Sequence, residues 1–456
     1  MRIYKKISMF YNLEKSNSRF DSSQTLQSYP AVLYVWSGQD PSVSNAADFV
    51  AVIDFDENSA TYGQILKTVP LVSNSTAGIN QIGNEAHHAA ISSDGRYYIS
   101  GGLLSFLSQA KEIFVWRIPK NPAHGPEFLY ALDAPGACVD EFQPIGGGKF
   151  LVSMMCNEIA DSPGDMVLID ADRRLVKSFL ANASTLENFN PHGFGRLKNG
   201  SIFVGDYIKP ISLTGSNAAD ITFRSTVRHF LPNGKLERTF QVEMPTDPEQ
   251  WSGVGSGIGF METKTIPNDS QGRAYACGTN DNKIHLVGPG MSQPIAVLDV
   301  SVINNYHKVL SAGITSFFPD GKLNIMTFQM RYVILMNTTV PEKPVILRAF
   351  DFCTDSSLDQ YTFQVSDSNE TTTFAQYCAS NNNVVGSHFC QYVPGENRFV
   401  VVNYFLKFGL AQFAGTRSVH AFKLNRDLTN FEYDHRFKPD FHSLKAFPHH
   451  VQYIRL

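Results

Sequence analysis

The sequence has little that would carry a membrane span, a nucleic-acid surface or a disulfide scaffold. No run of about 20 apolar residues occurs in its 456 positions, so no membrane-spanning helix is expected. Charge is scarce at 18% and nearly cancels, with 38 Lys and Arg against 42 Asp and Glu. A surface for nucleic acid or anionic lipid built on bulk charge is therefore excluded. Six Cys (Cys138, Cys156, Cys277, Cys353, Cys378, Cys390) contain no CxxC pair and no zinc spacing, and read as buried small hydrophobes. Cys378 and Cys390 stand close enough in sequence to bridge in an oxidising compartment. GxSxG, P-loop, HExxH and dinucleotide motifs are missing, which removes support for hydrolase, nucleotide and Rossmann readings. Near the start, Asn12, Glu14 and Lys15 interrupt the apolar stretch 7–11 before a signal core can form. The compartment expected is cytoplasmic. A secreted protein is the alternative, given N-x-Ser/Thr sequons at Asn74, Asn182, Asn199, Asn268, Asn337 and Asn369.

What is present favours strands. Hydrophobic residues are 43%, with 34 Phe, 18 Tyr, 33 Gly and 23 Pro. Short apolar or β-branched runs recur between Gly, Asn, Asp and Pro, and helix-period segments are hard to find. A unit of strand, polar Gly turn and strand repeats at Gly95, Gly148, Gly200, Gly272, Gly321 and Gly395. Asp-Gly and Asn-Gly at several of these bends are hairpin chemistry, because those residues tolerate positive φ. Outer strands follow several of them, as in IFVWRI at 113–118 and YVILMN at 332–337. Six units plus one shared by the termini make an all-β, seven-bladed β-propeller. Its closing blade joins the terminal HHVQYIRL to LYVWSG (33–38) and FVAVIDF (49–55), which removes an open sheet edge. Residues 1–30 are expected as an N-terminal extension and 31–456 as one propeller. Two β-sandwiches are the alternative, but no linker supports them, although 367–383 is a polar insertion.

The 13 histidines are not scattered. His87, His88, His192 and His388 lie seven or eight residues before the Gly bend of their units, and His449 and His450 begin the terminal strand. Inner strands of a propeller begin together at one channel mouth, so these imidazoles converge and can share one ion. Neutral imidazole suits copper, iron or zinc. Because alternate strand residues face opposite ways, one His of each adjacent pair should point inward. His88, His192, His388 and His450 are the expected metal ligands, with His87 and His449 as proton carriers or outer donors. Glu85, Asp140, Glu141 and Glu262 are the carboxylates placed to fix ligand tautomers. Phe189, Phe194, Phe389 and Phe447 are expected to line an apolar pocket beside the metal. His124, His229, His285, His307, His420, His435 and His442 fall outside the frame and read as structural or surface residues.

Several segments resemble the selenium-binding protein and methanethiol oxidase family, in order over about residues 85–456. EAHHAAI is similar to its E-x-HH segment. VLIDADRRLVKSF (167–179), GFMETKTIPNDSQGRAYACG, the 314–347 stretch and the terminal FPHHVQYI each resemble a family segment. The resemblance implies a seven-bladed propeller and, for the methanethiol oxidases, copper held by histidines and oxidation of methanethiol by O2. His87, His88 and His450 match family positions. The chain departs from the family where its HTxHC segment falls on VDEFQP (139–144) and where its CSSC motif is missing, while His192 and His388 lie where the family has no His. By architecture, a four-His propeller also resembles the carotenoid cleavage oxygenases, which hold iron(II) with four His and outer Glu residues. The expected function is a metal-dependent oxidoreductase using copper, or alternatively iron(II). Its partners would be O2 and a small, largely apolar substrate, sulfur compounds included. A non-redox metal-dependent lyase or hydrolase, a metal-storage role and a non-catalytic scaffold are the alternatives. Nothing in the sequence sets the oligomeric state.

Overall fold

Apolar runs bounded by turns build sheets that are covered on both faces, and such strands need not alternate. Ala31–Gln39 is buried along almost its whole length, whereas the outer strand Ile65–Pro70 is half-exposed. The computed structural model describes residues 31–455 apart from 40–45, 72–78, 80–81, 312, 366–369, 381–383 and 404. The expected extension at 1–30 lies outside the described residues. Seven four-stranded antiparallel sheets form the blades of a β-propeller, as the repeat implies. Blade 7 is closed by the termini: Ala446–Arg455 pairs with Ala31–Gln39, from Ala31 opposite Arg455 to Gln39 opposite Ala446. The bends between first and second strands carry the expected positive φ, +71° at Gly95 and +90° at Gly200.

Blades stack through buried aromatic and aliphatic faces. Trp36 of blade 7 meets Trp116 of blade 1 edge-on at 6.0 Å between ring centres. Between blades 2 and 3, Phe189, Phe194 and Phe230 are fully buried. Among the described residues the one α-helix is Phe374–Ser380, inside the polar insertion of blade 6, and no helix is long and apolar enough to cross a membrane. A hairpin of Phe405–Phe408 and Ala411–Ala414 also rises from blade 6.

The cysteines correct the sequence reading. Cys138 bridges Cys156 within blade 2, and Cys353 bridges Cys378 in the helix. Cys277 and Cys390 are buried free thiols, as the reading of small hydrophobes implies, and Cys390 does not bridge Cys378. Spacing allowed Cys378 with Cys390, but the blade path carries Cys390 into an inner strand and leaves the helix beside Cys353.

The inner strands are Ala86–Ile91, Ala137–Gly146, Pro191–Arg196, Phe260–Thr265, Thr315–Phe317, Ser387–Val393 and Ala446–Arg455. Six of them carry a β-bulge near their start. His87 and His88 stand opposite Gly101 alone, Asp140 and Glu141 opposite Ser153, and His192 and Gly193 opposite Gly205. Met261, His388 and His449 are the extra residues in blades 4, 6 and 7. A bulge re-aims side chains and suspends the alternation of faces.

Candidate metal centre

The bulges decide what reaches the axis. The expectation that one His of each pair turns away does not hold, because both members of each pair are buried at the channel mouth. The His87 and His88 rings stack at 4.8 Å with 9° between their planes. His449 sits 4.2 Å from the ring of His87, and His450 5.0 Å from that of His88. His192 comes within 6.4 Å of His87 and 6.2 Å of His88, and His388 within 5.4 Å of His449. Six imidazoles from blades 1, 3, 6 and 7 thus share one focus.

Asp140 of blade 2 is the hub of this cluster. Its Oδ2 lies 3.1 Å from His87 Nε2 and 3.1 Å from His192 Nε2, and its Oδ1 is 3.6 Å from His88 Nδ1. Two compact sets of ligand atoms result, His87 with His88 and His449, and His87 with Asp140 and His192, each within 4.8 Å. His87, His449 and Asp140 belong to these sets, and His388 and His450, two of the expected ligands, pack beside the rings of His449 and His88. Glu85 lies 3.2 Å from His87 Nδ1 and 3.5 Å from His449 Nδ1. Glu141 and Glu262 differ from expectation, for both meet Lys264 rather than a histidine, Glu262 at 2.9 Å.

A second local device accompanies four of the bulges. Glu85, Cys138, Gly259 and Gly386 each have φ between +54° and +104°, two positions before His87, Asp140, Met261 and His388. Glycine adopts this backbone freely, but Glu85 and Cys138 do so at a cost of order 1–3 kcal/mol, as happens at functional sites. Glu85 gains two imidazole partners there, and Cys138 gains a disulfide.

The electrostatics separate the imidazoles. Burial opposes charge on His87, yet Asp140 and Glu85 outweigh it and hold its pKa up at about 9. Burial and the neighbouring rings push His88 and His449 well below the ordinary value, burial with Lys264 and nearby rings does the same to His450, and burial brings His192 to about 4. Burial also opposes charge on Asp140, but His192 and His87 hold it below the carboxylate range. Burial raises Glu85 to about 7. His88 Nε2 and His450 Nδ1 are buried without a hydrogen-bond partner among the described residues. Neutral, desolvated imidazoles with open nitrogens beside an ionised carboxylate form a donor set that fits copper, iron or zinc.

Above the centre lies a cavity of about 430 Å³, with His87, Asp140 and His192 in its wall. The aromatic residues expected around it are elsewhere. Phe189 and Phe194 pack between blades 2 and 3, Phe389 covers His450 at 3.8 Å, and Phe447 borders a smaller pocket with Glu85. The lining comes instead from strand ends, the blade 6 hairpin and the loops between strands, among them Leu103, Met155, Phe223 and Leu406. Sequence reasoning also missed Tyr207, 4.7 Å from the His192 ring, and Lys264 between its two carboxylates. Lys264 sits two residues after Glu262 on one inner strand, which was a usable signal; Tyr207 carried none.

No family model and no curated protein sequence matches the chain. Among solved structures, that of a hypothetical selenium-binding protein from Sulfolobus tokodaii is similar over 92% of this chain and 93% of its own, with a TM-score of 0.69 and 14% identity. A protein from Lactobacillus plantarum is similar over 93% and 99%, with a TM-score of 0.54 and 9% identity. For a putative 6-phosphogluconolactonase from Bacteroides uniformis the figures are 93% and 100%, 0.51 and 11%. At these identities the likeness is one of fold, and it agrees with the resemblance carried by the sequence segments.

Proposed function

We propose that the chain is a metal-dependent oxidoreductase that uses O2 and takes its largely apolar substrate in the cavity above the histidine cluster. The observation that carries this reading is the convergence of six imidazoles and Asp140, from five blades, beneath an apolar cavity. The ion is copper, with iron(II) as the alternative, and its ligands come from His87, His88, His192, His449 and Asp140. When bound, it supplies the redox chemistry with O2 as oxidant. The protein supplies the rest. Glu85 fixes the orientation of His87 and His449 through their Nδ1 atoms. The proton on His87 is shared with Asp140 and must leave before that ring can ligate, so metal uptake releases it. The cavity walls exclude bulk water from the reacting end. The two disulfides favour an oxidising compartment over the cytoplasm.

Elemental analysis of the native protein tests the reading. Near-stoichiometric copper or iron, lost in His192→Ala, together with substrate-dependent O2 uptake, is the expected result. Folded protein that purifies without metal, or with metal but no O2 uptake for any apolar substrate, would overturn it in favour of a scaffold or a storage role. Zinc with lytic activity would favour the non-redox alternative.

A further inference from the structure

We infer that the cavity is a length-selective pocket for an extended apolar molecule with a single polar end, not for a one-carbon thiol; as a statement about substrate, this rests on the function proposed above. Size is the first argument. At roughly 30 Å³ per non-hydrogen atom, about 430 Å³ holds on the order of fourteen such atoms. A molecule of two heavy atoms would leave most of that wall without a partner.

The distribution of polarity is the second argument. His87, Asp140 and His192 sit at one end, continued by Tyr207, which contacts Thr279. Beyond them the wall is apolar, drawn from blades 1, 2, 3, 5 and 6 through Leu103, Met155, Leu213, Phe223, Met330 and Leu406. Two polar side chains reach the cavity farther out, and both are engaged. Gln329 donates to the Tyr306 carbonyl at 2.8 Å and accepts from Asn304 at 2.8 Å. Lys308 pairs with Glu249 at 3.3 Å and donates to the Pro248 carbonyl. Away from the partly exposed Lys308, a second polar group on the ligand would be buried without a free partner, at a cost that selects against it. Flexible Met155 and Met330 adapt to shape, so length rather than shape is what the pocket measures.

The test is calorimetric titration of the purified full chain, as isolated and after chelation, with 1-alkanols from ethanol to hexadecanol. Affinity should climb about three- to fourfold per methylene and level off near the length that fills the cavity. Leu213→Trp should move the break to shorter chains and Leu213→Ala to longer ones, so that one variant still reports if the other misfolds. Affinity independent of length, a plateau already at propanol, or a break that neither folded variant moves would overturn the inference. Normal binding of the series by protein that holds no metal and consumes no O2 would uphold the pocket and remove only the oxidoreductase reading. Metal-loaded, O2-consuming protein that binds nothing longer than propanol would do the reverse.

Discussion

The hairpins in the body of each blade and the starts of the inner strands obey different rules. In the central hairpins, from second strand to third, register is unbroken, as from Leu323 opposite Asn337 to Phe328 opposite Tyr332, and the buried residues are mostly apolar. At the channel mouth six bulges interrupt the register, two non-glycine residues hold positive φ, and His, Asp and Glu are buried. One region is organised for stability and the other tolerates strain and desolvation. Register also shifts in the outermost strand pairs of five blades, so a bulge alone makes no site; this propeller places its chemistry where bulges coincide with the convergence of the inner strands.

That separation can be broken by mutation. The largest stability effect is expected in a hairpin. Phe203 is fully buried and stacks on His229 at 4.5 Å, so Phe203→Ala should cost about 3–5 kcal/mol in denaturant unfolding, while metal per folded molecule stays unchanged. Glu85→Gln should act the other way round. It should weaken metal binding ten- to hundredfold in chelator competition, through the loosened His87 and His449 rings. Gly193→Ala joins the two regions. A Cβ there would come within 2.7 Å of the Glu262 Cα and the Met261 carbonyl, so unfolding should show a loss of about 1–3 kcal/mol and metal affinity should fall with it.

At neutral pH the smallest effect is expected at His420, whose substitution should show only as a change in acid sensitivity. His420 is buried in blade 6 away from the centre, and burial brings its pKa down to about 3. Its stabilising contribution is complete above the unfolded value of 6.5 and is lost as pH falls toward 3, because only the unfolded chain takes up the proton. The slope is at most about 1.4 kcal/mol per pH unit. His420→Phe should flatten the acid limb of stability against pH without altering metal content. An unchanged limb would show that other groups carry it.

Much of the architecture could be read from the chain because hairpin turns and apolar runs are local signals. Gly95 and Gly200 marked bends, and the orphan strands at 33–38 and 449–456 announced the closing blade. The histidine frame was visible for the same reason, since repeat position is a property of sequence. What misled was the rule of alternation, which turned His87 and His449 away from the hub, where both meet the other rings. A bulge leaves no clear mark on the residues that form it. The disulfide partners and the cavity lining were equally hidden, because both join segments whose proximity depends on how loops cross the mouth.

By itself, the sequence determined that this protein is a ring of antiparallel sheets with imidazoles brought to its hub, since strand length, turn residues and repeat spacing are written in neighbouring positions. Only the tertiary structure decided which nitrogen faces which carboxylate, which cysteines join, and how wide and how apolar the chamber over the hub is. Those depend on bulges and on contacts between blades, where a shift of one residue reverses a side chain's direction.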